Sequence, residues 1–394
     1  MESARWLSGR QSPALLLALG AVGLAARLEI AAHSTGTNDI VSWGVFSQLI
    51  ADHGVDWMYE WVPLFNHPPL MGWWSVVAQH LANASGWRFE FCFKLLPMAG
   101  DVAAAAVLWS LWQRRGNAVT GALAFALFAW NPDSMLISAY HGNTDALAAM
   151  FALLACFLLE EYSAPFAAGL ALGAAINVKL IPVLLVPVLA VRAKDLRALL
   201  RVAAGLALGA VPFVPILLSS FEAFQRNAIA YNSNFDNWGL AFFVRQGQAS
   251  DGLQDVFTAL RQVFAIIGRD LVIGGVLIAC ALARLRKIGD AYQLAAIAFA
   301  TFLVLTPGFG VQYTVYVVPV LFAVSLGWGT AYGWAAGAFI FAVYFSFWNG
   351  ALPLESIFRG PFPLPSALVG LVPWALLIAF LFSSARRVQP RHSA

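Results

Sequence analysis

The sequence predicts an all-α polytopic membrane protein, a bundle of about twelve transmembrane helices, from three observations. Of its 394 residues, 60% are hydrophobic and 11% charged, against roughly 25% charged in soluble domains. Apolar runs such as "ALLLALGAVGLAA", "VAAAAVLWSLW" and "ALVGLVPWALLIAFLF" recur along the chain, each approaching the ~20 residues a helix needs to cross hydrocarbon. Fourteen of the 23 Lys and Arg residues fall in five clusters: Arg5 and Arg10; Arg114 and Arg115; Arg192, Lys194, Arg197 and Arg201; Arg284, Arg286 and Lys287; Arg386, Arg387 and Arg391. Clusters of this kind sit on the cytoplasmic side, so an even number of crossings separates each from the next.

The first apolar run follows Arg5 and Arg10 and has the look of a signal peptide, but no small-residue cleavage motif follows it, so it is read as the first span. The parity rule then decides 165 to 190, "PFAAGLALGAAINVKLIPVLLVPVLA". As one tilted helix it would place "RAKDLRALLR" outside; as a short pair broken at "NVKLIP" it keeps that cluster inside, and the broken pair is expected. Irregular backbone at membrane depth is tolerated where it is buried or lines a wet cavity. The chain reads as a single integral membrane domain, 1–394, with both termini cytoplasmic and long outer loops at 31–91, 219–262 and 349–366, in the plasma membrane of a bacterium.

The first outer loop is the richest in chemistry. Within it "NDIVSWGVFSQLIADHG" predicts a helix starting at Thr37 or Asn38 and stopping at Gly54, lying at the membrane interface through Trp43, Phe46, Leu49 and Ile50. Asp39 falls in its first turn, where an acid also serves as a cap or dipole partner. Further on, "FNHPPLMGWW" sets Asn66 and His67 before two prolines. Pro68 restricts His67 to extended backbone and Pro69 suits a first helical turn, so the segment reads as a stiff approach delivering Asn66 and His67 to the mouth of an interfacial helix.

Other polar residues stand out against the apolar background. Lys179 sits in the expected break, where a lysine either meets an anion or snorkels to the interface. Asp101, inside "AGDVAAAAVLW" and seven residues from Lys94, is expected to pair with a cation elsewhere, and Arg269 with Asp270 locally. His141, Asn143 and Asp145 lie where the third span emerges, either as an outer turn or as a sugar-orienting group, and Gln312 with Tyr313 has the same two readings. The second outer loop offers Arg226 and Arg245 as phosphate forks and Asn234 and Trp238 for sugar faces and hydroxyls. Cys92, Cys156 and Cys280 stand alone in apolar segments and read as packing residues. The "NAS" at Asn83 is a sequon only in a cell that glycosylates this way.

These segments together resemble the GT-C superfamily of multi-span glycosyltransferases, among them the dolichol-phosphate mannosyl- and glucosyltransferases. The likeness rests on the acid just past the first span, "FSQLIADHGVDWMYEW" and "NHPPL". It continues through "AYHGNTDALAAMFALLA", similar to a "GQYDAL" segment, "AAINVKLIPVLLVPVL" and "GFGVQYTVYVVPVL". The resemblance implies a GT-C-like bundle and an inverting hexosyltransferase. A polyprenol-phosphate sugar would be its donor, mannose before glucose, and a lipid-linked or cell-envelope glycan its acceptor on the outer face. It maps the first-loop acid onto Asp39 as catalytic base, where a single acid stands and some relatives carry a pair; no metal and no cofactor are expected. Membrane lipids are the surroundings, and no basic patch of nucleic-acid type occurs. The rival reading is a flippase or transporter of lipid-linked sugars, which would show internal repeats and midplane sites; neither is read in the chain.

Overall fold

The computed structural model describes residues 11–387 apart from Asn232, Asn234, Asp236 and Asp251, so Arg5, Arg10 and Arg391 of the basic clusters lie outside the described residues. Helix α1 is Gln11–Ala32, and strand β1, Ser34–Thr37, leads to α2 (Asn38–His53), α3 (Val55–Trp61) and α4 (Pro69–Ser85). Helices α5 (Phe89–Arg115), α6 (Ala118–Ala129) and α7 (Pro132–Met135) follow, the last continuing as a π-helical turn, Leu136–His141, before α8 (Asp145–Glu160). Helix α9 (Pro165–Val178), a 3-10 turn (Ile181–Leu185) and α10 (Val186–Arg192) precede α11 (Leu196–Gly209) and α12 (Val214–Ser219). Then come α13 (Phe221–Phe224), α14 (Gly239–Gln248), α15 (Gln254–Arg286) and α16 (Ala291–Leu305). The 3-10 turn Val311–Tyr316 runs into α17 (Val318–Val324), followed by α18 (Leu326–Ser346), β2 (Leu354–Ser356) and α19 (Leu364–Arg387).

Local signals account for several of these boundaries. Thr37 caps α2, and Gly54 ends it with φ of 90°, in the left-handed half of backbone space that glycine enters freely. Pro69 opens α4 at a position where its missing N–H is no loss. Pro182 has no N–H to continue α9, and its ring would meet the Val178 carbonyl, so the helix ends there and Lys179 is extended (φ −153°, ψ 149°).

Five helices are long and apolar enough to cross a membrane, namely α1, α5, α15, α18 and α19; α11 and α12, bent by 42°, would make a sixth among the described residues. This is the fold of a helical membrane protein. One feature departs from the all-α expectation: β1 and β2 form a two-stranded parallel sheet, Ser34 opposite Leu354 and Thr37 opposite Ser356, tying the last long connection to the first.

Hydrogen bonds separate the two ends of the bundle. At the basic end Arg115 reaches Asp290 (3.1 Å) and Glu161 (3.5 Å), and Arg192 reaches Glu160 (2.8 Å). At the other end Ser220 meets the Asp56 carbonyl and His141 meets both Asp39 and Tyr344. The segment 165–190 bends back between them. Its middle residue, Lys179, bonds His67 (3.1 Å) at the far end, whereas Arg192 and Lys194 return to Glu160 and Ser163 beside its start. The break expected at "NVKLIP" is present.

Two interior contacts hold this arrangement. Arg27 of α1 pairs with Asp101 of α5 (2.8 Å) with both side chains buried, and Ser134 and Ser138 each donate to the same carboxylate at 2.6 Å. That is the distant cation expected for Asp101, and the three donors to its carboxylate offset the desolvation that makes an isolated buried charge costly. Lys94, also buried, donates to the carbonyl and hydroxyl of Ser34 at 2.9 Å. The second contact corrects the reading that the chain has no internal repeat: "AAGLALGA" occurs at 167–174 and again at 203–210. A Cβ on Gly169 would sit 2.1 Å from the Val202 carbonyl, and one on Gly205 would sit 2.0 Å from that of Phe166. The two copies therefore let α9 and α11 touch backbone to backbone, as small residues do in membranes.

Candidate active site

Asp39 is placed by its neighbours on both sides in sequence. Gly36 has φ of 111°, and a Cβ there would lie 2.5 Å from the Tyr140 carbonyl, so β1 lies directly against the π-helical turn that carries His141. Such turns recur at functional sites. The Asn38 side chain accepts from the Phe358 N–H (2.8 Å), which brings the last long connection over the same spot.

Around Asp39 the polar groups form one connected set. His141 Nε2 and Asn143 Nδ2 both lie 3.0 Å from Asp39 Oδ2. A carboxylate only accepts, so His141 carries its proton on Nε2 and, when neutral, accepts on Nδ1 from the Tyr344 hydroxyl at 2.7 Å. The Asn143 carbonyl oxygen in turn accepts from the Asp145 N–H (3.1 Å). Asp39 Oδ1 has no hydrogen-bond partner among the described residues, and the side chain keeps 42% of its surface open. One oxygen is thus clamped and the other available.

Lys179 and His67 complete the set. An ammonium only donates, so the Lys179–His67 contact (3.1 Å) leaves Nδ1 of His67 as acceptor. The His67 ring stands 4.4 Å from that of Trp43, and its carbonyl accepts from the Tyr59 hydroxyl (2.6 Å). Its position is therefore fixed by Trp43, Tyr59 and Lys179 together, and Pro68 is one restraint among several, which revises the weight that "NHPP" carries on its own.

These contacts set the charge states. Desolvation in the recess opposes ionisation of Asp39, but the hydrogen bond and charge of His141 and the charges of Lys179 and His67 outweigh it, holding the carboxyl well below the usual carboxylate range. Burial and the Lys179 ammonium push His67 well below the ordinary imidazole value, with Asp39 acting in the opposite sense. The site thus presents an ionised carboxylate, a lysine and a neutral imidazole together.

Beside this set lies a cavity of about 450 Å³, with Asn66, Lys179, Tyr231, Arg269 and Tyr313 among its polar walls. Tyr231 and Tyr313 lie within electrostatic reach of Asp39. Most of the other walls are apolar, and three of them, Val183, Ile229 and Ile273, are exposed on the bundle surface. Arg269, expected to pair locally with Asp270, instead lines this cavity and donates to the Tyr231 carbonyl (3.3 Å).

The sequence candidates divide into three groups. Asp39, His67, His141, Asn143 and Lys179 are joined in one site, with Asn66 and Tyr313 in the adjoining wall. Asp145 is buried beside them, with the Tyr316 hydroxyl next to its carboxylate. Trp238 lies elsewhere: buried, stacked 4.4 Å from Phe309 and donating to the Leu303 carbonyl (2.7 Å), it packs the interior. Gln312, Arg226 and Arg245 are not among the cavity walls, Arg226 being exposed; Asn234 lies outside the described residues. The sequence does not mark Tyr344 and Arg269 as site residues, because each sits in an otherwise ordinary apolar or aromatic stretch, and Tyr231 does not stand out among the polar side chains of the second outer loop. Among the described residues no three His, Cys, Asp or Glu side chains form a candidate metal site.

The profile of glycosyltransferase family 87 matches residues 67–307, about three-fifths of the chain. The chain belongs to that family. It is a membrane glycosyltransferase of the GT-C type, in keeping with the resemblance read from its motifs. The family 87 match contains His67, His141, Asn143, Asp145, Lys179 and Arg269; Asp39 and Tyr344 lie outside it and join the site through space.

Proposed function

We propose that this family 87 glycosyltransferase moves a hexose, mannose before glucose, from a polyprenol-phosphate donor to a lipid-linked or cell-envelope glycan acceptor, with inversion. The observation that carries the reading is the unpartnered Oδ1 of Asp39 next to a largely apolar cavity whose wall holds Lys179. The prenyl chain lies along the apolar walls and the phosphate reaches Lys179, with Arg269 as a second cation. Asn66, Asn143, Asp145 and Tyr313 supply hydrogen bonds to the sugar or acceptor. Asp39 Oδ1 removes the acceptor hydroxyl proton as that oxygen bonds to the sugar C1; the C1–O bond to phosphate breaks on the opposite face, and the phosphate keeps the electron pair beside Lys179. Asp39 is the carboxylate in this set with an open oxygen, which suits a single displacement needing a base and no carboxylate nucleophile. An anionic phosphate beside Lys179 also offsets part of the positive field on Asp39, making it a stronger base when donor is bound.

A panel of polyprenol-phosphate sugars incubated with purified enzyme and extracted membrane lipids tests this reading. A product heavier by one hexose is expected with the mannosyl donor; transfer from a soluble nucleotide sugar alone would overturn it. A flippase would move lipid-linked sugar without forming product.

His67→Ala is expected to lower kcat/KM by about 10- to 100-fold, as misplacement of a substrate-positioning group does. Pro68→Ala should cost less, because Trp43 still packs the ring and Tyr59 still holds the backbone carbonyl of His67. His80→Ala should leave the rate unchanged, since His80 is exposed on α4. Initial rates per folded enzyme decide it, and wild-type rates for both His67→Ala and Pro68→Ala would reduce the segment to a proline-started helix.

The twelve-crossing arrangement, with cytoplasmic termini in a bacterial plasma membrane, is part of the same proposal. It counts each arm of the broken 165–190 segment as a crossing. Ala193 is only 7% exposed, so a cysteine there would resist labelling from either side. The exposed Lys194 is the better position. With Cys92, Cys156 and Cys280 replaced, Lys194→Cys should stay unlabelled by an impermeant thiol reagent in intact cells while Asn83→Cys is labelled. Labelling of the first from outside would refute the arrangement.

A further inference from the structure

A second cavity, of about 300 Å³, lies at the basic end of the bundle, between the end of α8, the turn at Ser163 and the first turns of α11. Arg192, Lys194, Arg197 and Arg201 all line it, together with two carboxylates, Glu160 and Asp195. Both carboxylates are already engaged. Glu160 accepts from Arg192 (2.8 and 3.2 Å) and from the Ala291 N–H (2.8 Å), and Asp195 caps α11 by accepting from the Ala198 N–H (2.7 Å). Lys194 donates to a neutral hydroxyl, Ser163 Oγ, at 3.1 Å. Arg197 and Arg201, one helical turn apart, have no carboxylate partner among the described residues. A concavity with surplus positive charge attracts an anion, and two guanidinium forks suit the oxygens of a phosphate.

Exposed apolar side chains on α11 and α9 point to the source of that phosphate. On α11 the residues beside the two arginines are Leu196 (69% exposed), Leu199 and Leu200 (60% exposed), and neighbouring α9 exposes Phe166 and Leu170. These exposed apolar side chains on the helices that carry the basic residues suit acyl chains, which a free ion would not need. Basic pockets between membrane helices take up anionic headgroups in this way.

We propose that this cavity binds the phosphodiester headgroup of an anionic phospholipid, with its acyl chains along the leucine-bearing face of α11. The site lies at the opposite end of the bundle from Asp39 and uses none of the residues of the transfer reaction. It holds whether or not the donor is a polyprenol phosphate.

Native mass spectrometry of the full-length protein in detergent, titrated with phosphatidylglycerol or phosphatidylcholine, tests it. Phosphatidylglycerol should bind more tightly, and Arg197→Gln/Arg201→Gln should weaken its binding by about 30-fold, the effect of two basic groups at an anionic headgroup. Hexosyl transfer and melting temperature should be unchanged. Arg284→Gln/Arg286→Gln, which removes the same charge from the end of α15, should leave the preference intact. Equal binding of the two lipids, or equal loss from both double variants, would overturn the site. Displacement of the lipid by excess inorganic phosphate would show a phosphate-ion site and overturn the lipid assignment. Should the double variant fail to fold, a phosphatidylglycerol with a photoreactive acyl chain can be applied to the wild-type protein. Adducts are expected within 196–200, and adducts confined to other segments would refute the proposal.

Discussion

Asp39→Asn is expected to lower kcat by about 10²- to 10⁴-fold, the range general-base removal produces, in a protein that still folds and binds donor. The substitution preserves shape, and the Asn carbonyl oxygen continues to accept from His141 Nε2 and Asn143 Nδ2, which lie 3.0 Å from Oδ2. What disappears is the lone pair of the unclamped oxygen. The change is read in single-turnover rates at saturating donor, beside a donor-binding isotherm and a melting curve. Near-normal turnover would end the assignment of Asp39 as base. Joint loss of folding and donor binding would favour the other role of an acid in the first turn of α2, as a dipole partner.

Lys179→Gln is expected to cost about 10²- to 10³-fold in kcat, as loss of one group stabilising developing charge does. Glutamine can still donate to His67 Nδ1, so the contact survives and the charge does not. The pH profile separates this role from that of a snorkelling lysine. Lys179 lowers the proton affinity of both His67 and Asp39, so its removal lets both rise, and His67 moves toward the ordinary imidazole value near 6.5. Protonation then begins at higher pH than in the wild type, and the acidic limb of the profile shifts upward. A rate within twofold of wild type with an unshifted profile would assign Lys179 to anchoring alone.

Much of the site was legible in linear order, because each piece has a local cause. Thr37 and Gly54 bracket α2, Pro69 starts α4, and Pro182 ends α9 and leaves Lys179 extended. Trp238 shows the limit of such reasoning. In an aromatic and amide-rich connection it resembles a sugar platform, but its indole N–H is taken by the Leu303 carbonyl and its ring by Phe309. Nothing within a few residues of Trp238 announces either partner.

By itself the sequence determined the membrane class, the sorting of charge to one end, the break at Lys179 and the candidacy of Asp39, His67, His141 and Asn143. The first three follow from composition, from proline and glycine stereochemistry and from capping, all of which act over a few residues; the candidacy of the four side chains rests also on the GT-C-like motifs that carry them. Only the tertiary structure decided that residues 39, 67, 141, 179 and 344 meet. It also decided that a three-residue strand near 355 pairs with one near 35. Those meetings depend on which helices become neighbours, and neighbours are chosen by contacts across the bundle: the Arg27–Asp101 pair between α1 and α5, and the two copies of "AAGLALGA" whose glycines let α9 and α11 touch. A buried ion pair gains its stability only once both partners have left water together. A glycine face is likewise indistinguishable from any other small-residue stretch until a second backbone is laid against it.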